Sequence, residues 1–199
     1  MTPMGLRDEH VDGTRRALLA AARRRFGTLG FAGTSLDDVA AEAGVTKGAL
    51  YHHFRNKEHL FVEVYDQIEE ELSARGIAAA VGATDAVDVL QRAFGAFLDL
   101  ALEPEVQRIS LLDAPSVLGT HQKLEIDAKH SLAGVRLAVE VGMADGSFAA
   151  LDPDVVARML IAACSQAAVV IATADDPGAA RVTVGTALDH LIAGLAPIT

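Results

Sequence analysis

Apolar residues recur at intervals of three and four along almost the whole chain, which is the spacing of one face of an α-helix. One such stripe runs from Leu18 to Phe26 and another from Leu36 to Ala43. No stretch gives a convincing alternation of apolar and polar residues, the pattern that predicts a half-buried strand. The pattern therefore predicts an all-α protein.

Residues 34–54 are predicted to form two short helices joined by a tight turn. Ser35 is suited to cap the first helix, and Asp38, three residues later, is its capping-box partner. Gly44 stands where a left-handed residue must end that helix, a conformation that glycine adopts without a steric penalty. The small side chain of Ala40 would let the two helices cross closely.

Thr46 is a good N-cap for the second helix of this pair, which would bury Leu50 and Phe54. A helix pair of this kind can place its second helix in the major groove of DNA. Pairs with a glycine turn also occur in proteins that never bind DNA. The side facing solvent would carry Lys47, Gly48, Tyr51 and His52.

The rest of the chain reads as helical throughout. Pro104 fits a first helical position and Pro115 a break, while Asp152 and Asp176, each followed by proline, are predicted N-caps of two closing helices. A long helix is expected to end near Val141. Before the two closing helices, we expect four helices, over residues 60–72, 85–102, 104–115 and 116–141.

Residues 12–72 resemble the N-terminal region of the TetR family of transcriptional regulators. The similarity is carried by Thr14 to Gly30 as a first helix, Gly33-Thr34-Ser35, Gly44 to Phe54 as turn and recognition helix, and Asn56 to Leu60. The resemblance implies an N-terminal three-helix DNA-binding head and a C-terminal helical bundle for effector binding and dimerisation. A symmetric pair of such heads would require an operator of double-stranded DNA with two inverted half-sites.

Within the head, the resemblance assigns Lys47 and Gly48 to the side facing the bases. It assigns Tyr51 and Lys57 mainly to phosphate contacts, and His52 to either. The candidate DNA-binding residues are Thr34, Ser35, Thr46, Lys47, Gly48, Tyr51, His52 and Lys57.

The net charge of −10 is distributed unevenly between the two regions. Residues 1–60 carry a net charge of +2, and the remainder carries −12. A basic head with an acidic second domain is compatible with phosphate contacts, which need a positive face. The candidates for that face are Arg15, Arg16, Arg23, Arg24, Arg25, Lys47, Arg55 and Lys57, although some of Arg23 to Arg25 could be ordinary solvated surface.

The predicted organisation is a disordered arm over residues 1–11, a DNA-binding domain over 12–60 and an effector-binding and dimerisation domain over 61–199. The charged N-terminus lacks the apolar segment of a signal peptide, and a single cysteine, Cys164, excludes an intrachain disulfide. The apolar stretch 155–173 contains Arg158 and Gln166, which favours a buried helix over a membrane span. We therefore expect a cytoplasmic, nucleoid-associated protein.

The two closing helices are the most apolar part of the chain. A domain of this size has little reason to cover both faces of its terminal helices, so we expect them to pair with a second copy in a four-helix interface. The TetR resemblance implies the same homodimer. The apolar side of the last helix would include Val182, Val184, Leu188, Leu191, Ile192 and Leu195.

A small, mainly apolar effector is expected inside the bundle. Apolar walls with a few polar groups are typical of ligand pockets. The chain has no cluster of arginines that could bind a phosphorylated ligand. The segment Ser110 to Gly119 also resembles a recurring C-terminal motif of some TetR-like regulators. The candidate walls are Phe94, Phe97, Leu98, Leu111, Met159 and Val170, and the candidate polar anchors are His121, Cys164 and Gln166.

Catalysis is disfavoured, and no cofactor or metal is expected. His121 and His130 lie nine positions apart, on opposite sides of one helix, and no catalytic signature is present. We therefore predict a ligand-released homodimeric repressor. A nucleoid or architectural DNA-binding protein without an effector stays open as an alternative, and its weak sequence preference would distinguish it from a regulator with one discrete operator.

Overall fold

The computed structural model describes residues 5–197 of the chain, with side chains from Asp12 onward. This part of the chain is helical without strands, so the all-α prediction is confirmed. The helices are α1 (Gly5–Gly33), α2 (Leu36–Glu42), α3 (Lys47–His53), α4 (Lys57–Ala79), α5 (Ala86–Leu100), α6 (Pro104–Val106), a π-helix (Gln107–Asp113), α7 (Ala114–Ala144), α8 (Pro153–Thr173) and α9 (Pro177–Ala193).

The first helix begins earlier than expected. α1 starts at Gly5, so the prediction of a disordered arm is wrong for residues 5–11, while residues 1–4 lie outside the described residues. Extending a helix that already exists adds one backbone hydrogen bond per residue without a new nucleation cost. Residues 198–199, the end of the predicted second domain, also lie outside the described part.

The helical path of α1 breaks at Gly30, as the sequence predicted. Gly30 has φ 73° and ψ 174°, a region that residues with a side chain essentially never occupy. The chain then turns through Phe31 to the start of α2. The rings of Phe31 and Phe61 meet edge-on with centroids 5.3 Å apart, which packs the turn against α4.

One hydrophobic core joins the first four helices to the middle of the chain. Behind α2 and α3, α1 and α4 pack through fully buried Leu18, Phe26 and Phe61. Val106 and Ile109, from α6 and the π-helix, belong to the same core. The N-terminal helices therefore pack against the remainder of the molecule through α4, α6 and the π-helix.

The middle segment departs from the predicted short helix ended by Pro115. The helical path continues through α6 and the π-helix into α7, and Pro115 lies in the first turn of α7. The break comes instead at Gly119, whose φ is 71°. A π-helix is rare and is frequently found at functional sites.

A second core is formed by α5, α7, α8 and α9, with Leu90, Val139, Ala157 and Ile171 buried at its centre. Asp152 and Asp176 cap α8 and α9, and a proline follows each, as predicted. By length and composition alone, α8 could cross a bilayer, a property that core helices of soluble proteins share. One side of α8 is buried, so the expectation of a buried helix holds for that side.

Candidate nucleic-acid interface

The helices α2 and α3 begin at the two N-caps that the sequence predicted, Ser35 and Thr46. The Ser35 hydroxyl accepts from the Asp38 backbone N–H at 3.1 Å and donates to the Asp38 carboxylate at 2.7 Å. Thr46 Oγ1 accepts from the Ala49 N–H at 3.2 Å. Gly44, with φ 69°, makes the turn between the two helices.

The exposed side of α3 contains the four residues that the sequence placed there, and the N-cap Thr46 is exposed beside them. Lys47 Nζ lies 2.7 Å from Asp37 Oδ1 and 6.0 Å from the centre of the Tyr51 ring. The hydrogen bond to Asp37 raises the pKa of Lys47, so its charge is secure. A Cβ at Gly48 would meet only Thr46 Oγ1, at an ordinary van der Waals distance of 3.9 Å. The surface of α3 that faces solvent comprises Thr46, Lys47, Gly48, Tyr51 and His52.

Thr34 does not face solvent, so its assignment as a DNA-contacting side chain is wrong. It is 2% exposed, and its hydroxyl donates to the carbonyl of Gly30 at 2.9 Å. The broken end of α1 leaves carbonyls without helical partners, and Thr34 satisfies one of them. Ser35 is exposed, with its hydroxyl engaged in the cap of α2.

Lys57 holds the same turn together from the start of α4. Its Nζ donates to the carbonyls of Phe31 at 2.9 Å and Thr34 at 3.0 Å. The ammonium also lies 4.3 Å from the centre of the Phe31 ring, a cation–π contact. The structure therefore gives Lys57 a positioning role that the sequence prediction of a phosphate contact did not include.

Most of the predicted positive face is already paired with acidic side chains. Arg23 binds Glu71 at 2.6 Å and Glu105 at 2.9 Å, tying α1 to α4 and α6. Arg24 and Arg25 share Glu42, each at 2.8 Å. These pairs join residues far apart in sequence, and arginine content alone does not reveal them. Among the described residues, Arg16 and Arg55 have no ion-pair partner, while Arg15 pairs with Glu63.

Comparison with known proteins identifies the family. The family model described as "Bacterial regulatory proteins, tetR family" matches residues 18–64, and the "Tetracyclin repressor-like, C-terminal domain" model matches residues 87–195, more than half of the chain. The chain belongs to the TetR family. TetR-family regulators bind DNA operators and small-molecule effectors and act as dimers.

Individual relatives cover most of this TetR-family chain. A solved TetR-family transcriptional regulator from Pectobacterium atrosepticum is 35% identical, with a TM-score of 0.83 over 96% of this chain and 97% of that one. The Transposon Tn10 TetC protein of Escherichia coli is 27% identical over 76% of this chain and 77% of its own length. The transcriptional repressor KstR2 of Mycolicibacterium smegmatis is 29% identical over 73% of each chain.

Five of the nine effector-site candidates of this TetR-family protein lie inside the bundle. Phe97 packs against both cores, and the other four belong to the second core. Burial raises the pKa of the Cys164 thiol to about 12, so this cysteine behaves as a small apolar side chain. The buried or partly buried candidates are Phe94, Phe97, Leu98, Leu111 and Cys164.

The other four candidates face outward, so their assignment to an internal pocket is wrong. His121 is 88% exposed at its side chain and lies 3.3 Å from Glu125. Met159 is 67% exposed, and it shares the outer side of α8 with Gln166 and Val170. An apolar composition on most sides of a helix does not say which side the chain itself covers.

A cavity with a volume of about 240 Å³ lies between α5 and α9. Phe94 and Leu98 form part of its wall, so two of the predicted residues line it. Arg181 enters from α9 and donates to Asp99 Oδ1 at 2.8 Å and to the carbonyl of Gly95 at 2.9 Å. The remaining lining residues are Gln91, Arg92, Gly185, Leu188 and Asp189.

A buried polar cluster between α4, the π-helix and α7 was not predicted from the sequence. Tyr65 donates to Asp127, and Lys123 Nζ lies 2.6 Å from the second oxygen of Asp127. Burial raises the pKa of Tyr65 and raises that of Glu69 to about 7. Ser110 is buried in the π-helix nearby. Tyr65 and Glu69 are polar residues one turn apart within an otherwise apolar stripe of α4. That spacing is the sequence signal that could have revealed the cluster.

The candidates for metal or acid–base chemistry are not brought together. His121 is exposed, whereas His130 Nε2 lies 2.9 Å from Asp66 in the contact between α4 and α7. Within residues 12–197, His, Cys, Asp and Glu side chains form no group that could hold a metal ion. The family is one of transcriptional regulators rather than of enzymes.

Proposed function

We propose that this chain is a homodimeric repressor whose affinity for its operator is lowered by a small effector. The observation that carries the proposal is the exposed side of α3, which presents a lysine, a glycine and a tyrosine beside a capped helix N-terminus. Backbone N–H groups at a helix N-terminus attract phosphate, and a lysine next to them can reach base edges or backbone. As a DNA-bound regulator, the protein would act in the cytoplasm at the nucleoid.

The proposed DNA contacts involve fewer residues than the sequence predicted. Lys47 and Gly48 would face the bases, while Tyr51 would contact phosphate and Thr46 and His52 would complete the contact surface. The ion pair of Lys47 with Asp37 is exposed, and exposed pairs of this kind contribute little to stability. Breaking the ion pair with Asp37 so that Lys47 can bind DNA therefore costs little free energy.

The proposed dimer uses the outer sides of α8 and α9. Val155 and Met159 on α8, with Val182 and Leu191 on α9, are each more than half exposed in the single chain. Val155 and Met159 lie one turn apart on α8, whereas Val182 and Leu191 lie nine positions apart, on opposite flanks of α9. Exposed apolar side chains on these two helices are the basis for placing the interface here. Leu188 and Ile192, which the sequence also placed on the apolar side of α9, are instead buried in the second core of the chain.

The proposed effector is a small, mainly apolar molecule bound next to α5. Phe94, Phe97, Leu98 and Leu111 supply the apolar side chains, and the cavity between α5 and α9 opens beside two of them. Arg92 and Arg181 add donors at its edge, so a polar group on the effector has partners. An effector that binds better to the DNA-incompetent spacing of the two heads lowers operator affinity by linkage.

The proposed domain boundary falls near residue 60, with the head before it and the effector and dimer region after it. The N-terminal family model ends at residue 64, and α4 contributes buried residues to the head core. Both observations support a head that includes the first turns of α4. The head then moves as α4 moves.

Selection of duplexes from a random-sequence DNA pool tests the proposed function. We expect the purified protein to enrich one inverted repeat whose half-site centres are about 34 Å apart, or a multiple of that distance. A variant with Lys47→Ala and Tyr51→Ala should enrich nothing, and Arg24→Ala, which changes a paired surface arginine, should enrich the same repeat. Binding without enrichment of any sequence would instead support the architectural alternative.

A further inference from the structure

The three acidic side chains of α2 have different neighbours. Asp38 takes part in the cap of α2 and lies 3.6 Å from Arg25 on α1. Glu42 is bound by the same Arg25 at 2.8 Å. Asp37 instead approaches α3, where Lys47 Nζ lies 2.7 Å from its Oδ1 and 2.9 Å from its Oδ2. Asp37 is therefore the acidic residue of α2 that lies beside the exposed side of α3.

The ion pair between Asp37 and Lys47 contributes little to the stability of the head. The side chains are 64% and 60% exposed, and ion pairs in contact with solvent stabilise a protein only slightly. A carboxylate on a surface that binds DNA also repels phosphate. It favours DNA binding only where it accepts a hydrogen bond, and in the major groove the donors are amino groups of the bases.

The two side chains match the hydrogen-bonding groups of a G·C base pair. An ionised carboxylate only accepts, whereas an ammonium group has three donors and no acceptor. In the major groove, guanine offers the acceptors N7 and O6, and cytosine offers the donor N4. Guanine O6 and cytosine N4 bond to each other within the pair, at about 2.9 Å for a bond of this type. The 2.7 Å between Lys47 Nζ and Asp37 Oδ1 is close to that spacing.

We propose that Lys47 and Asp37 together read one G·C base pair in each half-site of the operator. One N–H of the Lys47 ammonium group stays on Asp37, and the other two donate to guanine N7 and O6. The Asp37 carboxylate accepts from cytosine N4. The ion pair then stays intact on DNA, and each group of the pair gains a partner there. This reading of the operator rests on the proposed function, in which Lys47 faces the bases.

The other base pairs satisfy the two side chains less well. On an A·T pair, Asp37 could accept from adenine N6, but Lys47 would find only thymine O4, next to the apolar C5-methyl group. On the reversed C·G pair, the carboxylate would face guanine O6, and two acceptors repel each other. We therefore expect the G·C pair to be preferred over each alternative by about tenfold.

Selection from a random-sequence duplex pool with full-length variants locates the base pair. We expect a G·C pair at the position where Lys47→Ala loses its sequence preference, and Asp37→Ala should lose its preference at that same position. Asp38→Ala should keep it. Asp38→Ala is the matched control, because it removes the same charge from the next residue, whose carboxylate faces the cap of α2 and Arg25. Circular dichroism checks that each variant is folded.

A modified duplex tests the contact of Asp37 with cytosine N4 directly. In the selected operator, the cytosine of this pair is replaced by the analogue that lacks the N4 amino group, and binding is measured by fluorescence anisotropy. The amino group also takes part in base pairing, so the loss of affinity in Asp37→Ala gives the effect of the modification on the duplex alone. Wild type and Asp38→Ala should lose about tenfold more affinity than Asp37→Ala.

Three results would overturn the role of Asp37 and leave the proposed function standing. The first is an A·T pair at the position that Lys47 reads. The second is an Asp37→Ala protein that binds every duplex more tightly and keeps the G·C preference, because Asp37 then only repels phosphate. The third is an equal loss of affinity by wild type and Asp37→Ala on the modified duplex. If the wild type enriches no sequence, the proposed function fails, and the reading of a G·C pair fails with it.

Discussion

Lys47 lies on the exposed side of α3 with its ammonium group bound to the exposed carboxylate of Asp37. If it faces the bases as proposed, Lys47→Ala should weaken operator binding by about tenfold or more and relax specificity at the contacted position. Fluorescence anisotropy with the selected duplex measures both effects. Arg24→Ala serves as the control, because Arg24 is held by Glu42. Unchanged binding by a Lys47→Ala, Tyr51→Ala double variant would remove the assignment.

For Lys57 the sequence predicts a phosphate contact, whereas the structure shows hydrogen bonds to the backbone of the head. Because its Nζ binds two backbone carbonyls, we expect Lys57→Ala to lower the free energy of unfolding by about 1–3 kcal/mol. Urea denaturation at fixed protein concentration measures this loss.

A phosphate contact alone gives a different result for Lys57→Ala. Stability would stay unchanged, and the salt dependence of DNA binding would lose about one charge. Both measurements on one variant therefore decide which role Lys57 has, or whether it has both.

At the scale of elements, the end of α1 and the π-helix are fitted to each other around Gly30. A side chain at Gly30 would be strained by its φ of 73°, and its Cβ would lie 2.0 Å from Arg108 Nη2. Arg108 in turn lies 3.4 Å from Asp113, the residue that binds the Phe31 N–H. The glycine therefore serves both as a helix stop and as the contact point for the π-helix.

We expect Gly30→Ala to destabilise the protein by about 1–3 kcal/mol from backbone strain. Gly134→Ala is the matched control, because Gly134 is helical and exposed and a Cβ there meets no neighbour. That change should stabilise α7 by up to about 1 kcal/mol. Thermal denaturation of both variants measures the difference. Equal melting temperatures for the two variants would contradict the role of Gly30.

At the scale of the whole molecule, the two cores meet at α5, the π-helix and α7, while α8 and α9 keep exposed apolar side chains. We expect Met159→Glu and Val182→Glu to produce a folded monomer, because both side chains are exposed in the single chain. Operator binding should fall as well, since two half-sites need two linked heads. Sedimentation velocity and circular dichroism measure association and folding.

Leu188→Glu is the comparison for the dimer prediction. Leu188 is 3% exposed, so a charge there should unfold the bundle rather than only dissociate it. A Met159→Glu, Val182→Glu protein that remains dimeric would exclude the outer sides of α8 and α9 as the interface.

The sequence by itself determined the features that depend on residues within one or two helical turns. The caps at Ser35, Thr46, Asp152 and Asp176 and the glycine turn at Gly44 are local, so their hydrogen bonds and dihedral angles follow from neighbouring residues. The all-α fold and the exposed side of α3 were predictable for the same reason.

Only the tertiary structure decided features that depend on partners far along the chain. Arg23 meets Glu105, and Thr34 is buried beneath the turn that Lys57 holds from α4. Met159 faces outward because another side of α8 covers the core. Helical periodicity shows which residues share a face but not what that face meets, and the same limit concealed the burial that raises the pKa of Glu69.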